Sequence, residues 1–328
     1  MNSPAQQVLV TGGAGFIGSH LVERLLADGA SVVVIDDCST GKWDNLRAVA
    51  SHPGLRKIES TVSQCAELDR VMAEAGFVFH LAAAVGVELV VRSPIRTLQT
   101  NLHETEAVLE AAGRHAVPVL LASTSEVYGR SHRHAFSEED DLIIGPPVVG
   151  RWSYACSKLL DEFLGLAYAR EKGLPVIIAR LFNTVGPRQS GRYGMVLPRF
   201  IEAARTGQPL RVFGDGAQTR CFCHVADAVE ALVRLAREPA ARGQVFNVGG
   251  TEEVSIAELA RRVVETLQSA SPIVPVPYTE AYAPGFEDMR RRRPVVDKLE
   301  RVTSFRPATS LRRIIELTAA GGSVEALG

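Results

Sequence analysis

The stretch VLVTGGAGFIGSH, residues 8–20, joins a short apolar run to a glycine-rich turn and then to a helical pattern. Its glycines, Gly12, Gly15 and Gly18, permit a tight turn and let backbone N–H groups approach a phosphate at the start of the helix. A second apolar run ends in Asp36, close to the position about 20 residues beyond the glycines where an acid binds the adenosine ribose. A carboxylate there would repel a 2′-phosphate. The stretch therefore predicts a dinucleotide site that prefers NAD to NADP.

Apolar runs alternate with helical patterns through much of the chain. The runs are almost entirely apolar, which is typical of strands buried on both faces of a parallel sheet. We expect strands at 8–10, 32–35, 78–81, 119–122, 176–179 and 244–248, and helices at 19–27, 96–113, 154–170 and 225–236. Gly113 and Gly173 stand where a helix would end in a left-handed residue. This alternation predicts an α/β fold, a Rossmann-type doubly wound parallel sheet.

Proline and glycine become frequent after about residue 184, and the alternation weakens. We expect a Rossmann domain at 1–183 that the chain enters again at about 224–250. The remaining segments, 184–223 and 251–328, would form a smaller C-terminal substrate-binding lobe.

Composition excludes several classes of partner. The net charge of −1 gives no electrostatic reason to bind nucleic acid or an anionic membrane. No apolar stretch reaches the roughly 20 residues of a membrane helix, and the N-terminus lacks a signal-peptide pattern. The five cysteines are scattered, so we expect no metal site and a reducing, cytoplasmic location.

Two further motifs carry catalytic residue types. YACSK places Tyr154 and Lys158 four residues apart on one helical face, where an ammonium beside a phenol, with a positive nicotinamide nearby, would lower the phenol's pKa. STSEVYG, residues 123–129, places hydroxyls and Glu126 at the end of a buried strand. A carboxylate is costly there unless it is exposed or has a role.

Taken together, these motifs resemble the extended short-chain dehydrogenase/reductase family, in particular its nucleotide-sugar epimerases, dehydratases and decarboxylases. The resemblance covers nearly the whole chain and is carried by TGGAGFIGSH, IDDCSTG, FHLAA, STSEVYG, YACSK, LFNTVGPR and TRCFCHV. It implies bound NAD, a nucleotide-sugar substrate linked to UDP, and a homodimer formed through helices around 101–112 and 154–170.

The resemblance also implies roles for individual residues. The catalytic set is Thr124, Ser125, Glu126, Tyr154 and Lys158. The cofactor contacts are Gly12, Gly15, Phe16, Ile17, Gly18, Asp36, Asp37, Leu81, Ala82 and Lys158. The substrate contacts are Val85, Asn183, Arg188, Arg220 and Arg292. The family often has an acid after the third strand, near the adenine, whereas this chain has Ser60 and Thr61 in IEST, so that contact is left unassigned.

The reaction implied begins with oxidation of the sugar at C4. Tyr154 takes the hydroxyl proton, Thr124 holds the oxygen, and C4 passes hydride to NAD. The 4-keto sugar can then regain hydride on its other face, lose CO₂ from a C6 carboxylate, or lose water. The segment 82–91 resembles 4-epimerases, which makes a nucleotide-sugar 4-epimerase our first hypothesis.

Two alternatives remain. Glu126 and the segment 138–158 resemble UDP-glucuronate decarboxylases, which gives the second hypothesis, and a 4,6-dehydratase is the third. A non-catalytic NAD(H) sensor is a different class, but such proteins typically lack the tyrosine or the lysine, and both are retained here.

Overall fold

A computed structural model describes residues 7–84, 93–189, 195–277 and 289–321. Within these residues the strands are β1 Gln7–Thr11, β2 Ser31–Asp36, β3 Leu55–Glu59, β4 Phe77–His80, β5 Val119–Thr124, β6 Val176–Leu181, β7 Thr184–Val185, β8 Leu210–Phe213, β9 Thr219–Cys221, β10 Cys223–His224, β11 Gln244–Val248, β12 Glu253–Ser255 and β13 Ile273–Val276.

The helices in the same residues are α1 Phe16–Ala27, α2 Leu68–Glu74, α3 Pro94–His115, α4 Trp152–Lys172, α5 Val196–Arg205, α6 Val225–Arg237, α7 Ile256–Thr266, α8 Asp297–Thr303 and α9 Leu311–Ala320. Short 3₁₀ helices lie at Trp43–Val49, Ser125–Tyr128 and Pro239–Ala241.

The central sheet has seven strands among the described residues, in the order β11-β6-β5-β4-β1-β2-β3. Every neighbouring pair is parallel. Helices cover both faces: Val8 and Val10 of β1 pack in one hydrophobic cluster, whereas Leu9 between them packs in the other. This alternation explains why the strands are apolar throughout. The predicted Rossmann-type doubly wound sheet is confirmed.

A third hydrophobic cluster lies outside the sheet and is built from 185–222, 254–263 and 311–315. Two small strand pairs belong to this region, β12 with β9 and β13 with β8. In contrast, Leu299 of α8 packs in a cluster of the central sheet. The division of the chain into two lobes stays a prediction, with α8 packing on the sheet side.

One expected helix end is wrong. α3 continues through Gly113 to His115, and Ala116 takes the left-handed conformation with φ of 54°. Gly173, by contrast, does end α4 with φ of 67°. The chain must turn at residue 116 to pass from α3 into β5. Ala116 therefore takes the left-handed conformation, although its Cβ makes that conformation strained.

Candidate active site

One cleft runs along the carboxyl ends of the central strands and has a volume of about 1010 Å³. This is the edge where ligands bind in open parallel sheets. The predicted site residues within the described ranges all line it: Gly12, Gly15, Phe16, Ile17, Gly18, Asp36, Asp37, Leu81, Ala82, Thr124, Ser125, Glu126, Tyr154, Lys158, Asn183, Arg188, Arg220 and Arg292. Val85 lies outside the described residues. The roles given to these residues stay predictions.

The glycine-rich loop after β1 leaves room only for backbone. A Cβ on Gly18 would lie 2.1 Å from the carbonyl oxygen of Gly12. Gly12 itself has φ of 72°, and a Cβ there would lie 2.7 Å from the backbone nitrogen of Ala82. Such crowding at the start of α1 is what a pyrophosphate-binding turn requires, so the loop fits NAD.

Asp36 ends β2 on the cleft and is buried. Its carboxylate accepts hydrogen bonds from the backbone N–H groups of Ala14 and Cys38, both at 2.8 Å. Burial raises the pKa of Asp36, and these N–H groups partly oppose that rise. Each carboxylate oxygen keeps a second lone pair, which suits a ribose hydroxyl.

The catalytic residue types meet at the end of β5. The Thr124 hydroxyl lies in the cleft together with the Tyr154 phenol, which comes from the first turn of α4. One turn later, Lys158 donates to Asp161 at 2.8 Å, and both side chains are buried. The tertiary structure therefore brings together the hydroxyl, phenol and ammonium that the motifs suggested.

The electrostatics of Tyr154 differ from the expectation. Burial raises the pKa of the Tyr154 phenol, and the charges of Glu126 and Asp161 raise it further, while the hydrogen bond with Thr124 and the charge of Arg292 lower it. The lowering of the phenol's pKa was expected with a positive nicotinamide nearby, so it stays a prediction for the site with NAD bound. In the chain without NAD, burial is the largest cause of the raised pKa, followed by the charges of Glu126 and Asp161.

Glu126 lies in a clamp of arginines. Its carboxylate accepts a hydrogen bond from Arg292 and another, at 3.3 Å, from Arg151. Burial alone would raise the pKa of Glu126, but the charges of Arg292, Arg151 and Arg220 outweigh it and bring the pKa to about 2. Glu126 is therefore an anion at any working pH.

Arg292 reaches the clamp from a segment far along the chain. The residues after it pair with Phe136: the Phe136 N–H donates to the Arg293 carbonyl, and the Val295 N–H donates to the Phe136 carbonyl, both at 2.8 Å. Asn247 of β11 donates to the Phe136 carbonyl at 2.9 Å and to the Val295 carbonyl at 3.2 Å. Arg292 also donates to Asn183 at 3.3 Å. Its buried Nε has no hydrogen-bond partner among the described residues.

Arg188 was predicted to contact the substrate, but its guanidinium contacts α1. Its guanidinium makes two 2.7 Å hydrogen bonds to Glu23 of α1 and one of 3.1 Å to Ser19. It still borders the cleft. Another part of the wall is basic and aromatic, since the guanidinium carbons of Arg199 and Arg211 lie 5.5 and 6.0 Å from the centre of the Phe213 ring.

The sequence reasoning missed Arg151, Asp161 and Glu104. Arg151 stands three residues before Tyr154, and the need of Glu126 for a counter-charge was a signal that pointed to a nearby arginine. Asp161 stands three residues after Lys158, a spacing at which helical side chains meet. Glu104 gave no signal, because its partners Val62 and Ser63 lie far away in the sequence.

Among the described residues, no group of three or more histidine, cysteine, aspartate or glutamate side chains could hold a metal ion. No helix in the described ranges combines the length and the apolar composition of a membrane span.

Comparisons with known proteins agree on one family. The family model "NAD dependent epimerase/dehydratase family" matches residues 8–249. The UDP-N-acetyl-alpha-D-glucosaminuronate decarboxylase of Bacillus cytotoxicus is 41% identical over 306 residues, which cover 93% of this chain and 94% of that protein. UDP-glucuronic acid decarboxylase 2 of Arabidopsis thaliana is 37% identical over 95% of this chain and 67% of its own length.

A solved structure of similar shape is the UDP-glucuronic acid 4-epimerase of Bacillus cereus in complex with UDP-glucuronic acid and NAD. It superposes with a TM-score of 0.86 at 27% identity and covers 96% of this chain and 98% of its own. Since the glycine loop, Asp36 and the side chains of Thr124, Tyr154 and Lys158 line one cleft and the family model matches most of the chain, the chain belongs to the NAD-dependent epimerase/dehydratase family of nucleotide-sugar enzymes.

Proposed function

We propose that the chain decarboxylates a UDP-linked hexuronate through a 4-keto intermediate. The observation that carries the proposal is the clamp of Arg151 and Arg292 on Glu126, beside Thr124 and Tyr154. A planar guanidinium is suited to a carboxylate. Arg292 has a buried Nε without a partner in the described residues, so it can still donate to a substrate carboxylate at C6.

The relatives support the same choice. The sequence analysis put epimerisation first, but the curated relatives above are named as decarboxylases of UDP-hexuronates. They match at least 93% of this chain, whereas the sequence resemblance to 4-epimerases rests on the short segment 82–91.

In this mechanism Tyr154 takes the proton of the C4 hydroxyl, and Thr124 holds the oxygen. NAD, when bound, supplies the oxidant for C4. The C4 ketone makes the sugar a β-keto acid: the C5–C6 bond breaks, CO₂ leaves, and the electron pair moves to the C4 oxygen as an enolate. The phenol of Tyr154, now protonated, donates to that oxygen, and a proton then returns to C5. Return of the hydride to C4, with the Tyr154 proton passing to the C4 oxygen, would give a product that differs from the substrate by CO₂ alone. The charge of Arg292 stabilises the enolate.

Tyr154 can act as a base only if its pKa falls from the raised value of the chain alone. Positive charge added to the cleft would lower it, which agrees with a phenol that becomes active only in the loaded site. The fixed anion Glu126 keeps Arg151 and Arg292 in place until the substrate arrives.

The test is mass spectrometry of the products from UDP-glucuronate, UDP-N-acetylglucosaminuronate and UDP-glucose. We expect a product lighter by CO₂ from one or both hexuronates and no product from UDP-glucose. Arg292→Lys should reduce this turnover about tenfold or more, because a lysine cannot reproduce the fork of hydrogen bonds. Arg291→Lys, in an exposed neighbour, is the matched control and should have little effect.

A 4-epimerase is the second candidate, favoured by the shape of the Bacillus cereus 4-epimerase. An isomer of unchanged mass from any of these substrates would establish it and overturn decarboxylation. Tyr154→Phe distinguishes decarboxylation and epimerisation, which both use the phenol as a base, from a non-catalytic role of the protein. Turnover should fall by about 10²–10⁴-fold, while bound NAD is retained. Unchanged turnover in that variant would contradict the whole mechanism.

A further inference from the structure

Glu104 is a buried carboxylate outside the reaction centre. It lies in the middle of α3 with 5% of its surface exposed. One carboxylate oxygen accepts hydrogen bonds from the backbone N–H groups of Val62 and Ser63, the latter at 3.2 Å. The other accepts the Ser63 hydroxyl at 2.5 Å. Glu104 therefore fixes the loop that follows β3.

This loop borders the adenosine half of the cleft. In the strand order, β2 and β3 lie on one side of β1 and its glycine loop, while the reaction centre at β5 lies on the other. A dinucleotide whose pyrophosphate is bound after β1 then extends its adenosine towards β2 and β3. The Ser60 N–H donates to the Asp36 carbonyl at 3.2 Å, so the loop starts beside the predicted ribose contact.

Thr61 carries an unsatisfied group at this end. It lines the cleft, yet its hydroxyl oxygen is buried and has no hydrogen-bond partner among the described residues. A buried polar atom without a partner is costly and calls for an explanation, such as a ligand that supplies the partner. The next two backbone N–H groups donate to Glu104, so they do not supply the missing partner, and the Thr61 hydroxyl is available to a base.

We propose that Glu104 is a positioning residue for the cofactor, and that the loop it holds presents the Thr61 hydroxyl to the edge of the adenine ring. The acid expected in the loop itself is absent. Glu104 supplies a carboxylate from α3 instead, and this carboxylate accepts hydrogen bonds from the loop's backbone and not from the base. A hydroxyl can both donate and accept, unlike a carboxylate. The site therefore accepts a 6-oxo purine about as well as the 6-amino group of adenine.

The experiment measures dissociation constants by titration calorimetry on protein freed of its cofactor. The ligands are NAD, nicotinamide hypoxanthine dinucleotide and UDP. We expect the wild type to bind the two dinucleotides within a few-fold of each other. Thr61→Val should weaken both by about tenfold, the equivalent of one hydrogen bond, and leave UDP binding unchanged.

Glu104→Gln keeps the size of the side chain but removes its charge and one of the two acceptor oxygens that hold the loop. It should weaken both dinucleotides at least as much as Thr61→Val does, again without effect on UDP. Glu106→Gln, an exposed glutamate on the same helix, is the matched control. If the cofactor resists removal, the fraction of NAD that each purified variant retains gives the same ranking.

Three results would overturn the proposal. The first is wild-type affinity for dinucleotides in both Thr61→Val and Glu104→Gln. The second is a strong preference of the wild type for NAD over the hypoxanthine analogue, which requires an acceptor specific for the 6-amino group. The third is an equal loss of UDP and NAD affinity in Glu104→Gln, which would make Glu104 a general structural residue. None of these depends on whether the sugar is decarboxylated or epimerised.

Discussion

At the scale of single residues, Glu126 is the group whose environment departs most from that of an ordinary carboxylate. It is largely buried, but the arginines around it more than compensate for its lost hydration. Removing one partner of such a buried cluster leaves the remaining charges without a counter-charge, which strongly lowers the stability of the fold. We therefore expect Glu126 to affect stability as well as the proposed reaction.

The pKa of Glu126 gives a pH dependence with a definite sign. Its folded-state value of about 2 lies below its ordinary value of 4.5, so the stabilisation is complete above about pH 4.5 and is lost as the pH falls towards 2. This lowering of the pKa corresponds to a contribution of Glu126 to the free energy of unfolding on the order of 3 kcal/mol. We expect the stability gap between wild type and Glu126→Gln to be constant from about pH 5 to 8 and to shrink below.

Urea unfolding at a series of pH values measures this gap. Glu139→Gln, at an exposed carboxylate, should give a small gap with no such dependence. A gap between wild type and Glu126→Gln that stays constant down to pH 3 would contradict the lowered pKa.

At the scale of elements, the helices behind the sheet hold the cleft in shape. Asn101 of α3 accepts the Ala84 N–H at 2.7 Å and donates to the Ser157 hydroxyl at 3.0 Å, beside Lys158. Arg180 of β6 pairs with Glu162 of α4, and Glu162 accepts the Ser123 hydroxyl at 2.5 Å. The Asn101 contacts connect α3 to the segment after β4 and to α4, and the Glu162 contacts connect α4 to β5 and β6. α3 and α4 therefore hold in place the residues for which cofactor and catalytic roles were predicted.

The end of α3 offers a test of local backbone strain. Gly113 is inside the helix, where a Cβ would meet Tyr168 at an ordinary 3.6 Å, and Ala116 is left-handed. Gly113→Ala should raise the free energy of unfolding by about 0.5–1 kcal/mol. Ala116→Gly should raise it by about 1 kcal/mol. Gly173→Ala, at φ of 67°, is the opposite control and should destabilise. Chemical unfolding measures all three, and a loss of stability in either of the first two contradicts the helix end described here.

At the scale of the whole molecule, α3 and α4 carry an apolar outer face. Ile95 is 72% exposed and Phe163 is 65% exposed, and Leu98 and Leu160 accompany them at one-turn spacing. Exposed large apolar side chains on two packed helices suit a contact with the same face of a second copy, because a twofold interface is self-complementary. We propose the homodimer that the family resemblance implied, formed on this face.

Phe163→Glu should convert the dimer to monomer. Burial of one phenylalanine contributes about 1.5–3 kcal/mol, and symmetry doubles the effect, so the dissociation constant should rise by a factor of roughly 100 or more. Sedimentation velocity over a range of concentrations measures it, with Lys172→Glu at the exposed end of α4 as control. A wild-type protein that is monomeric at every concentration would contradict the proposal.

The sequence by itself determined the sheet, the glycine loop with Asp36, and the spacing of Tyr154 and Lys158. These depend on local physics: short apolar runs that alternate with helical patterns favour buried parallel strands, and residues four apart on a helix share a face. Only the tertiary structure decided which charges surround Glu126 and which side chain holds the loop after β3. Arg292 meets Glu126 across 166 residues, and Glu104 meets Val62 across 42. Such contacts depend on how distant parts of the chain pack together. A local sequence pattern therefore cannot predict which distant group a buried carboxylate will contact.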